Sequence, residues 1–367
     1  MAVRLQGTRR ASALDMAPRA RHDIHRIGRL MVAVALLAPL GVLAVAWAPA
    51  RDVDVLATRY APPPSRFITV DGMHVHVRDE GPQMDGDGVA TAVRRAAPPI
   101  VLLHGTFSSL HTWDGWVDSL ARDRRVIRFD LPGFGLTGPA PDRDEGMRRL
   151  VRTTFAVMDS LGVPRAVLAG NALGGAVAWE AALAAPQRVT ALVLVDALGY
   201  RHAGDAVPLG MRIANLPVLR QLAEELLPKP VVAMGLREAY GDPSRLTDDI
   251  VTRYHDLVRR DGNRLALIRR ALSSPREHDA HRLRTLDVPT LIVWGGRDRL
   301  VPPQHADSFH HDLSASRVVR FPTLGHVPHE EDPARSVAPV RDFLRGLPRP
   351  RGVAIGATTP AQLGPLH

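Results

Sequence analysis

The stretch that most constrains the fold of this chain is residues 166–177, AVLAGNALGGAV. An apolar run meets a glycine, and four residues later a pair of glycines leads into small residues that suit the start of a helix. Glycines flank a turn when its backbone is strained or when neighbouring backbone leaves no space for a Cβ. The stretch therefore predicts a buried strand, a sharp turn at Ala172, and a helix whose N-terminal N–H groups point at the turn.

The rest of the chain predicts the sheet into which this strand fits. Apolar runs at 99–103, 126–129, 191–195 and 289–294 alternate with helical patterns, which predicts a doubly wound, mostly parallel sheet of the α/β class. An antiparallel hairpin around residues 71–72 comes first. Only helical patterns occupy 199–285. We therefore predict an α/β core at 66–198 and 286–347, interrupted by an all-helical cap at 199–285.

The segments outside the core predict a membrane anchor. Residues 1–29 are basic, and 30–50 run for 21 residues without a charge, where a spanning helix needs about 20. Positive residues before the span place the globular body outside the cytoplasm. A signal peptide cleaved near residues 46–48 is the alternative, although Pro49 disfavours cleavage. Residues 51–65 read as a linker, and 348–367 as a disordered tail.

Composition narrows the possible partners. The formal charge is +9 and the pI is about 10.9, but the arginines are scattered and no basic stripe carries interleaved aromatics. We therefore expect no nucleic-acid partner. The chain has no cysteine, which excludes disulfides, a thiolate metal site and a cysteine nucleophile. We predict no metal and no cofactor.

Three motifs stand where predicted strands end, and ligands of open α/β sheets bind at the carboxyl ends of strands. The first is the turn at Ala172. The second is WGGRDRLVP at 294–302, in which Asp298 follows a strand and a glycine turn. The third is LGHVPHE at 324–330, in which His326 follows the last strand. Because all three occur in this order, each after a strand, their combination is far more specific than any one of them.

In these motifs the chain resembles the α/β-hydrolases that carry a helical cap, in particular their serine esterase and carbon–carbon hydrolase branches. The resemblance covers about residues 60–347, and the order nucleophile, acid, histidine is that of the family. It implies that His326 is the general base and then the general acid, oriented by Asp298. It also implies an oxyanion hole formed by the backbone N–H of Leu173 and that of Thr106 or Phe107.

One residue departs from the family pattern. Ala172 stands where the nucleophilic serine belongs, and an alanine cannot attack a carbonyl. Three explanations remain open: a serine hydrolase inactivated by substitution to trap a ligand, a natural pseudoenzyme that binds a small molecule, or an Asp298–His326 pair that activates water directly. The implied parent reaction is hydrolysis of a small carboxylic ester. Carbon–carbon bond hydrolysis is the alternative, made weaker by Val327, where such relatives usually carry an aromatic residue.

Several other residues have competing explanations. Asp196 follows the strand at 191–195 and is a rival for the acid, because some families place it there. We expect His104 and Asp130 to have structural roles in their loops, and His329 to lie at the surface or behind the site. Trp113, Trp116 and Phe134 should belong to the core or to the wall of a pocket. Five cap arginines are expected on a solvated helical face: Arg259, Arg260, Arg264, Arg269 and Arg270.

Overall fold

The computed structural model describes residues 46–82, 97–200, 225–273 and 280–347, with a few positions between 29 and 41. The chain divides into two units, at 1–47 and 48–367, and the description below concerns the second. Its centre is an eight-stranded sheet with the strand order β1-β2-β4-β3-β5-β6-β7-β8. The strands are β1 Arg66–Val70, β2 Met73–Glu80, β3 Ile100–Leu103, β4 Val126–Phe129, β5 Ala166–Asn171, β6 Val189–Val195, β7 Thr290–Gly295 and β8 Ser316–Phe321.

The predicted α/β class and mostly parallel sheet are confirmed. The hairpin β1–β2 is antiparallel and pairs antiparallel with β4, whereas all pairs from β4 to β8 are parallel. Asp71 and Gly72 form the hairpin turn with φ of 49° and 76°, the left-handed geometry that matches the twist of the two strands. Strands β3 to β7 are almost wholly buried apolar runs, as expected for a sheet covered on both faces.

Helices cover both faces of the sheet. They are α1 Val53–Tyr60, α2 Asp114–Leu120, α3 Met147–Ser160, α4 Leu173–Ala184, α5 Lys229–Ala239, α6 Asp248–Val258, α7 Asn263–Ser273, α8 His305–Asp312, α9 Pro328–Glu331 and α10 Pro333–Arg345. Side chains of α3, α4 and α8 pack on one face in the larger core cluster. Side chains of α2 and α10 pack on the other face. The carboxyl ends of the parallel strands thus meet at one edge, between the two helical layers.

Between β6 and β7 the described residues contain helices and no strand. Helices α5 and α6 pack together through Leu236, Val251 and Tyr254. Helices α6 and α7 are separated at Gly262, whose φ of +82° a helix cannot accommodate. Residues 201–224 and 274–279 of the predicted cap lie outside the described residues.

The segment predicted as a linker, 51–65, contains helix α1. Asp52 caps its N-terminus by accepting a hydrogen bond from the Asp54 N–H at 2.7 Å. Leu56 and Tyr60 are buried against Leu136 and Leu257. The linker prediction was therefore wrong for these eight residues. Two apolar residues four positions apart form the buried face of a short amphipathic helix. The arginines and prolines on either side of it obscured this pattern in the sequence.

The terminal predictions fall mostly outside the described residues. This holds for almost all of the basic segment 1–29, most of the predicted span 30–50, and the whole of the tail 348–367. Within the part of the chain that is described, no helix combines the length and the apolar character needed to cross a bilayer. The membrane anchor stays a prediction.

Candidate active site

The turn at Ala172 is the strained element of the site. Ala172 lies between β5 and α4 with φ of 47° and ψ of −111°, a backbone conformation that a residue with a Cβ rarely adopts. Its carbonyl accepts hydrogen bonds from the N–H groups of Ala176, at 3.1 Å, and Leu198, at 3.0 Å. The turn therefore keeps the strained geometry that presents a side chain at the strand edge, although here that side chain is a methyl group.

Glycines allow α4 to approach the sheet. A Cβ on Gly170 would lie 2.1 Å from the Gly174 oxygen, and one on Gly174 would lie 2.1 Å from the Leu103 oxygen. A Cβ on Gly175 would meet that of Ala197 at 2.5 Å. These distances are shorter than any real contact, and two of the three are to backbone. The glycine pattern of the sequence thus reflects a close strand–helix packing that fixes the N-terminus of α4 at the turn.

Asp298 and His326 are in contact. The Asp298 Oδ2 atom accepts a hydrogen bond from His326 Nδ1 at 2.8 Å. The other carboxylate oxygen accepts from the N–H groups of Leu300, at 2.8 Å, and Val301, at 3.0 Å. Because the carboxylate accepts a hydrogen bond from Nδ1–H, the neutral imidazole has its basic lone pair on Nε2. The loops after β7 and β8 thus bring the predicted acid and the predicted base together.

The rival acid, Asp196, lies in the same cluster. It follows β6, is completely buried, and accepts a hydrogen bond from the Gly295 N–H at 2.8 Å. One oxygen of Asp196, one of Asp298 and one nitrogen of His326 lie within 4.8 Å of one another. Burial, followed by the negative charge of Asp298, raises the pKa of Asp196 well above its usual range. The carboxylate that accepts the hydrogen bond of His326 is that of Asp298, and no hydrogen bond joins Asp196 to His326 within the described residues.

The predicted oxyanion residues lie on two segments beside the turn. Leu173 is the first residue of α4. A Cβ on Gly105 would lie 3.4 Å from the Ala172 Cβ, so the loop that carries Thr106 and Phe107 runs against the turn. Phe107 has φ of 64° and is 42% exposed. The two segments that carry the predicted donors thus lie beside the turn, and the donor role of these N–H groups remains a prediction.

Sequence reasoning overlooked Asn171. Its Nδ2 donates to the main-chain carbonyl of His326 at 2.9 Å and to that of Val195 at 3.2 Å. The side chain therefore connects the end of β5 to the histidine loop. Its signal in the sequence was a polar residue at the end of a buried apolar strand, which requires a hydrogen-bond partner.

Sequence reasoning also overlooked a buried group of polar residues between the cap and the core. Tyr254 on α6 donates to Glu330 Oε2 at 2.8 Å and contacts Ser108 Oγ at 3.1 Å. Arg253 forms an ion pair with the same carboxylate. Burial raises the pKa of Glu330. These contacts join the cap, the loop after β3 and the helix that follows His326.

The other candidates are structural. The Asp130 carboxylate accepts from His76 Nδ1 and from the Leu110 and Leu136 N–H groups, at 2.7 to 2.8 Å. His104 contacts the Gly105 carbonyl through Nδ1, and its Nε2 accepts from the Leu131 N–H. Trp113, Trp116 and Phe134 are buried.

His329 is not at the surface. It is completely buried, its ring lies 4.1 Å from that of Trp113, and its Nε2 is 3.0 Å from Thr112 Oγ1. Burial lowers its pKa well below the usual value.

The expectation of a solvated arginine face on the cap was wrong for two of the five residues. Arg264 and Arg270 are buried, and Arg264 Nη1 donates to the Ala48 carbonyl at 2.8 Å. Arg270 lies over the Phe134 ring at 5.7 Å. Burial lowers the pKa of Arg270 to about 10. The scattered arginines therefore partly serve to attach the cap to the core.

A small cavity opens beside Phe107, between the core and the cap. Its volume is about 10 Å³, room for about one water molecule. Its walls are mostly apolar: Phe107, Ser108, Gly133, Phe134, Gly135, Leu257, Val258, Asn263 and Leu267.

A parallel sheet with a strained strand–helix turn, a histidine–aspartate pair and a helical insertion defines an α/β protein of the hydrolase type. Residues 98–333 match the family model described as alpha/beta hydrolase fold. The chain belongs to this family.

Curated relatives and solved structures carry several activities. The chain is 31% identical over 252 residues to the dihydrolipoyllysine-residue acetyltransferase component of an acetoin cleaving system from Pseudomonas putida, covering 67% of this chain but only 63% of that protein. It is 30% identical over 253 residues to a 2-hydroxy-6-oxononadienedioate/2-hydroxy-6-oxononatrienedioate hydrolase from Pseudomonas sp, covering 65% of this chain and 81% of that one.

A solved structure shares the fold. It is a serine-to-alanine mutant of a meta-cleavage product hydrolase from Pseudomonas fluorescens, complexed with acetates. The TM-score is 0.63 at 23% identity, over 76% of this chain and 97% of that one.

Proposed function

We propose that this is a serine-hydrolase-type site that lacks its nucleophile, with hydrolysis of small carboxylic esters as the parent reaction. The observation that carries the proposal is the hydrogen-bonded Asp298–His326 pair beside a turn that remains strained at Ala172. Without an Oγ no covalent acyl intermediate can form. We expect the chain as written to hydrolyse esters negligibly.

The arrangement supports a specific mechanism for a serine at 172. Nε2 of His326 would take the hydroxyl proton as Oγ attacks the carbonyl carbon, and would later deliver it to the leaving alcohol. Asp298 would stabilise the imidazolium. The N–H groups of Leu173 and of Thr106 or Phe107 would stabilise the oxyanion, where one donor is worth about 3 kcal/mol.

The alanine form retains part of this machinery. Oxyanion donors and substrate binding alone leave about 10³–10⁴-fold catalysis over water in serine hydrolases that have lost a member of the triad. The same groups suit a pseudoenzyme that binds a small ester-like molecule without turning it over. The Asp298–His326 pair would also suit direct activation of water. The experiment below separates the inactivated hydrolase from the pseudoenzyme, and turnover without a burst in the unchanged chain would indicate direct activation of water.

The test is Ala172→Ser on a panel of p-nitrophenyl esters. We expect the Ala172→Ser variant to show a burst of p-nitrophenol followed by turnover, and the unchanged chain to show neither. The matched control is Ala172→Ser with His326→Gln, which should lose the gained activity. A burst from the unchanged chain would refute the missing nucleophile. A folded but inactive serine form would refute the parent reaction and favour the pseudoenzyme.

Carbon–carbon bond hydrolysis is the second candidate. It is favoured by the 30% identity to the 2-hydroxy-6-oxononadienedioate hydrolase and disfavoured by Val327 after the histidine. The Ala172→Ser chain, offered 2-hydroxy-6-oxononadienedioate and the ester panel in parallel, decides between the two by the ratio of kcat/KM values.

We infer in addition that residues 30–50 anchor the protein in a membrane with its globular part outside the cytoplasm. Support comes from the 21 uncharged residues and the arginines that precede them. Secretion after signal cleavage is the alternative.

A further inference from the structure

The carboxyl group of Asp196 is a second acid beside the Asp298–His326 pair. Its Oδ1 accepts from the Gly295 N–H at 2.8 Å. Its Oδ2 is buried, and no hydrogen bond reaches that oxygen from any residue in the described ranges. Backbone holds the residue in place, since Asp196 has φ of 46° and its N–H donates to the Val293 carbonyl at 3.0 Å.

Of the two aspartates in the cluster, Asp298 accepts more hydrogen bonds than Asp196. Three donors converge on the Asp298 carboxylate, from His326 Nδ1 and from two main-chain N–H groups. Each of these bonds stabilises the ionised form. Asp196 has a single N–H donor, and one of its oxygens lies within 4.8 Å of atoms of Asp298 and His326.

The surroundings of Asp196 oppose a second negative charge. Desolvation has the largest effect, and the charges of Asp298 and Glu331 add to it. Glu331 is itself held by the N–H groups of Gly325, at 2.7 Å, and Gly241, at 3.0 Å. Two carboxyl groups in one buried site require either a shared proton or a cation.

We propose that Asp196 is a neutral carboxylic acid that directs its proton at the Asp298 carboxylate, and thereby limits the basicity that Asp298 confers on His326. Asp196 is then a positioning residue. The inference rests on the proposed role of the Asp298–His326 pair, but it does not require that the chain hydrolyse an ester.

The proposal predicts that Asp196→Asn leaves the titration of His326 almost unchanged, because an amide also carries no charge and also donates. In the otherwise unmodified chain, NMR follows the His326 imidazole signals with pH, assigned by their loss in His326→Gln. We expect the midpoint to move by less than about 0.3 pH unit. A fall of about one pH unit or more would show that Asp196 was an anion and overturn the proposal.

The matched control is Asp298→Asn, which removes a charge from the same cluster. Its His326 midpoint should fall by about 1–3 pH units, the usual effect of a contacting opposite charge. The contrast between the two Asp→Asn substitutions shows which of the two neighbouring carboxyl groups carries the negative charge.

A second measurement needs no substitution. In the unmodified chain labelled with ¹³C at aspartate carboxyl groups, one signal should stay in its protonated position through pH 7. Its absence would overturn the proposal. So would micromolar Zn²⁺ shifting the His326 signals of the unmodified chain but not those of Asp196→Asn, since a cation requires the ionised carboxylate. Because these readouts are independent of turnover, an inactive Ala172→Ser form would refute the ester proposal alone.

Discussion

Asn171 donates a hydrogen bond to the main-chain carbonyl of His326 at 2.9 Å. The residue immediately before Ala172 thus positions the loop that carries His326. The two are 155 residues apart in sequence, and the bond crosses from the end of β5 to the loop after β8. The geometry of the pair Asp298–His326 therefore depends on the turn even though Ala172 itself contributes no polar group.

We predict that Asn171→Ala loosens the histidine loop. Removing a buried donor that serves two carbonyls should lower the free energy of unfolding by about 1–3 kcal/mol, measured by urea denaturation. NMR should also show broadened His326 signals. Asn263→Ala is the matched control, because Asn263 is equally buried and also donates to two carbonyls. It should cost similar stability without affecting His326; equal spectra for the two variants would contradict the prediction.

The close approach of α4 to the sheet predicts opposite effects for two Gly→Ala substitutions. Gly174→Ala places a Cβ 2.1 Å from the Leu103 oxygen, and should destabilise the fold by about 3 kcal/mol or more. Gly235→Ala lies inside α5 with nothing within 4 Å, and should stabilise it by about 0.5–1 kcal/mol. Urea denaturation measures both, and a tolerated Gly174→Ala would refute the packing described.

His329 predicts a specific loss of stability in acid. Burial lowers the pKa of His329 well below 6.5. Just below that pH, His329 is therefore protonated in the unfolded chain and neutral in the folded chain. The contribution of His329 to the free energy of unfolding is therefore fully present above about pH 6.5 and is lost as the pH falls. His329→Gln should reduce the slope of unfolding free energy against pH below 6 by up to about 1.4 kcal/mol per pH unit.

The predicted anchor has a direct test in cell fractionation. The full chain should remain with the membrane fraction after a high-salt wash, whereas a form beginning at residue 51 should not. A salt-resistant association distinguishes an apolar span from binding by the arginines, which salt screens. Recovery of a soluble protein outside the cytoplasm, with a new N-terminus near Arg51, would replace the anchor with a cleaved signal.

The sequence sufficed for the centre of the sheet because the strands β3 to β7 are buried. Strands such as β6 are continuous apolar runs bounded by turns, so the hydrophobic pattern and the order of motifs together determined the class. The site residues were readable for a similar reason, since Asp298 and His326 follow strands whose carboxyl ends must meet at one edge.

The features that were missed depend on contacts between segments distant in sequence. Helix α1 is stabilised by Leu136 and Leu257, which its own eight residues do not reveal. Asn171 gains its role from a carbonyl on another loop. The burial of Arg264 and Arg270 depends on how the cap packs, because a helical arginine pattern is the same whether its face meets solvent or protein.

The strained angles at Ala172 have an evolutionary consequence. A backbone that already holds φ of 47° and ψ of −111° with an alanine has no rearrangement to make when one oxygen is added to that Cβ. Any alanine codon becomes a serine codon by a single base change. A serine at 172 is therefore one point mutation away, and under the proposed function natural variants of this chain with serine there would share its fold while differing in whether they turn a substrate over.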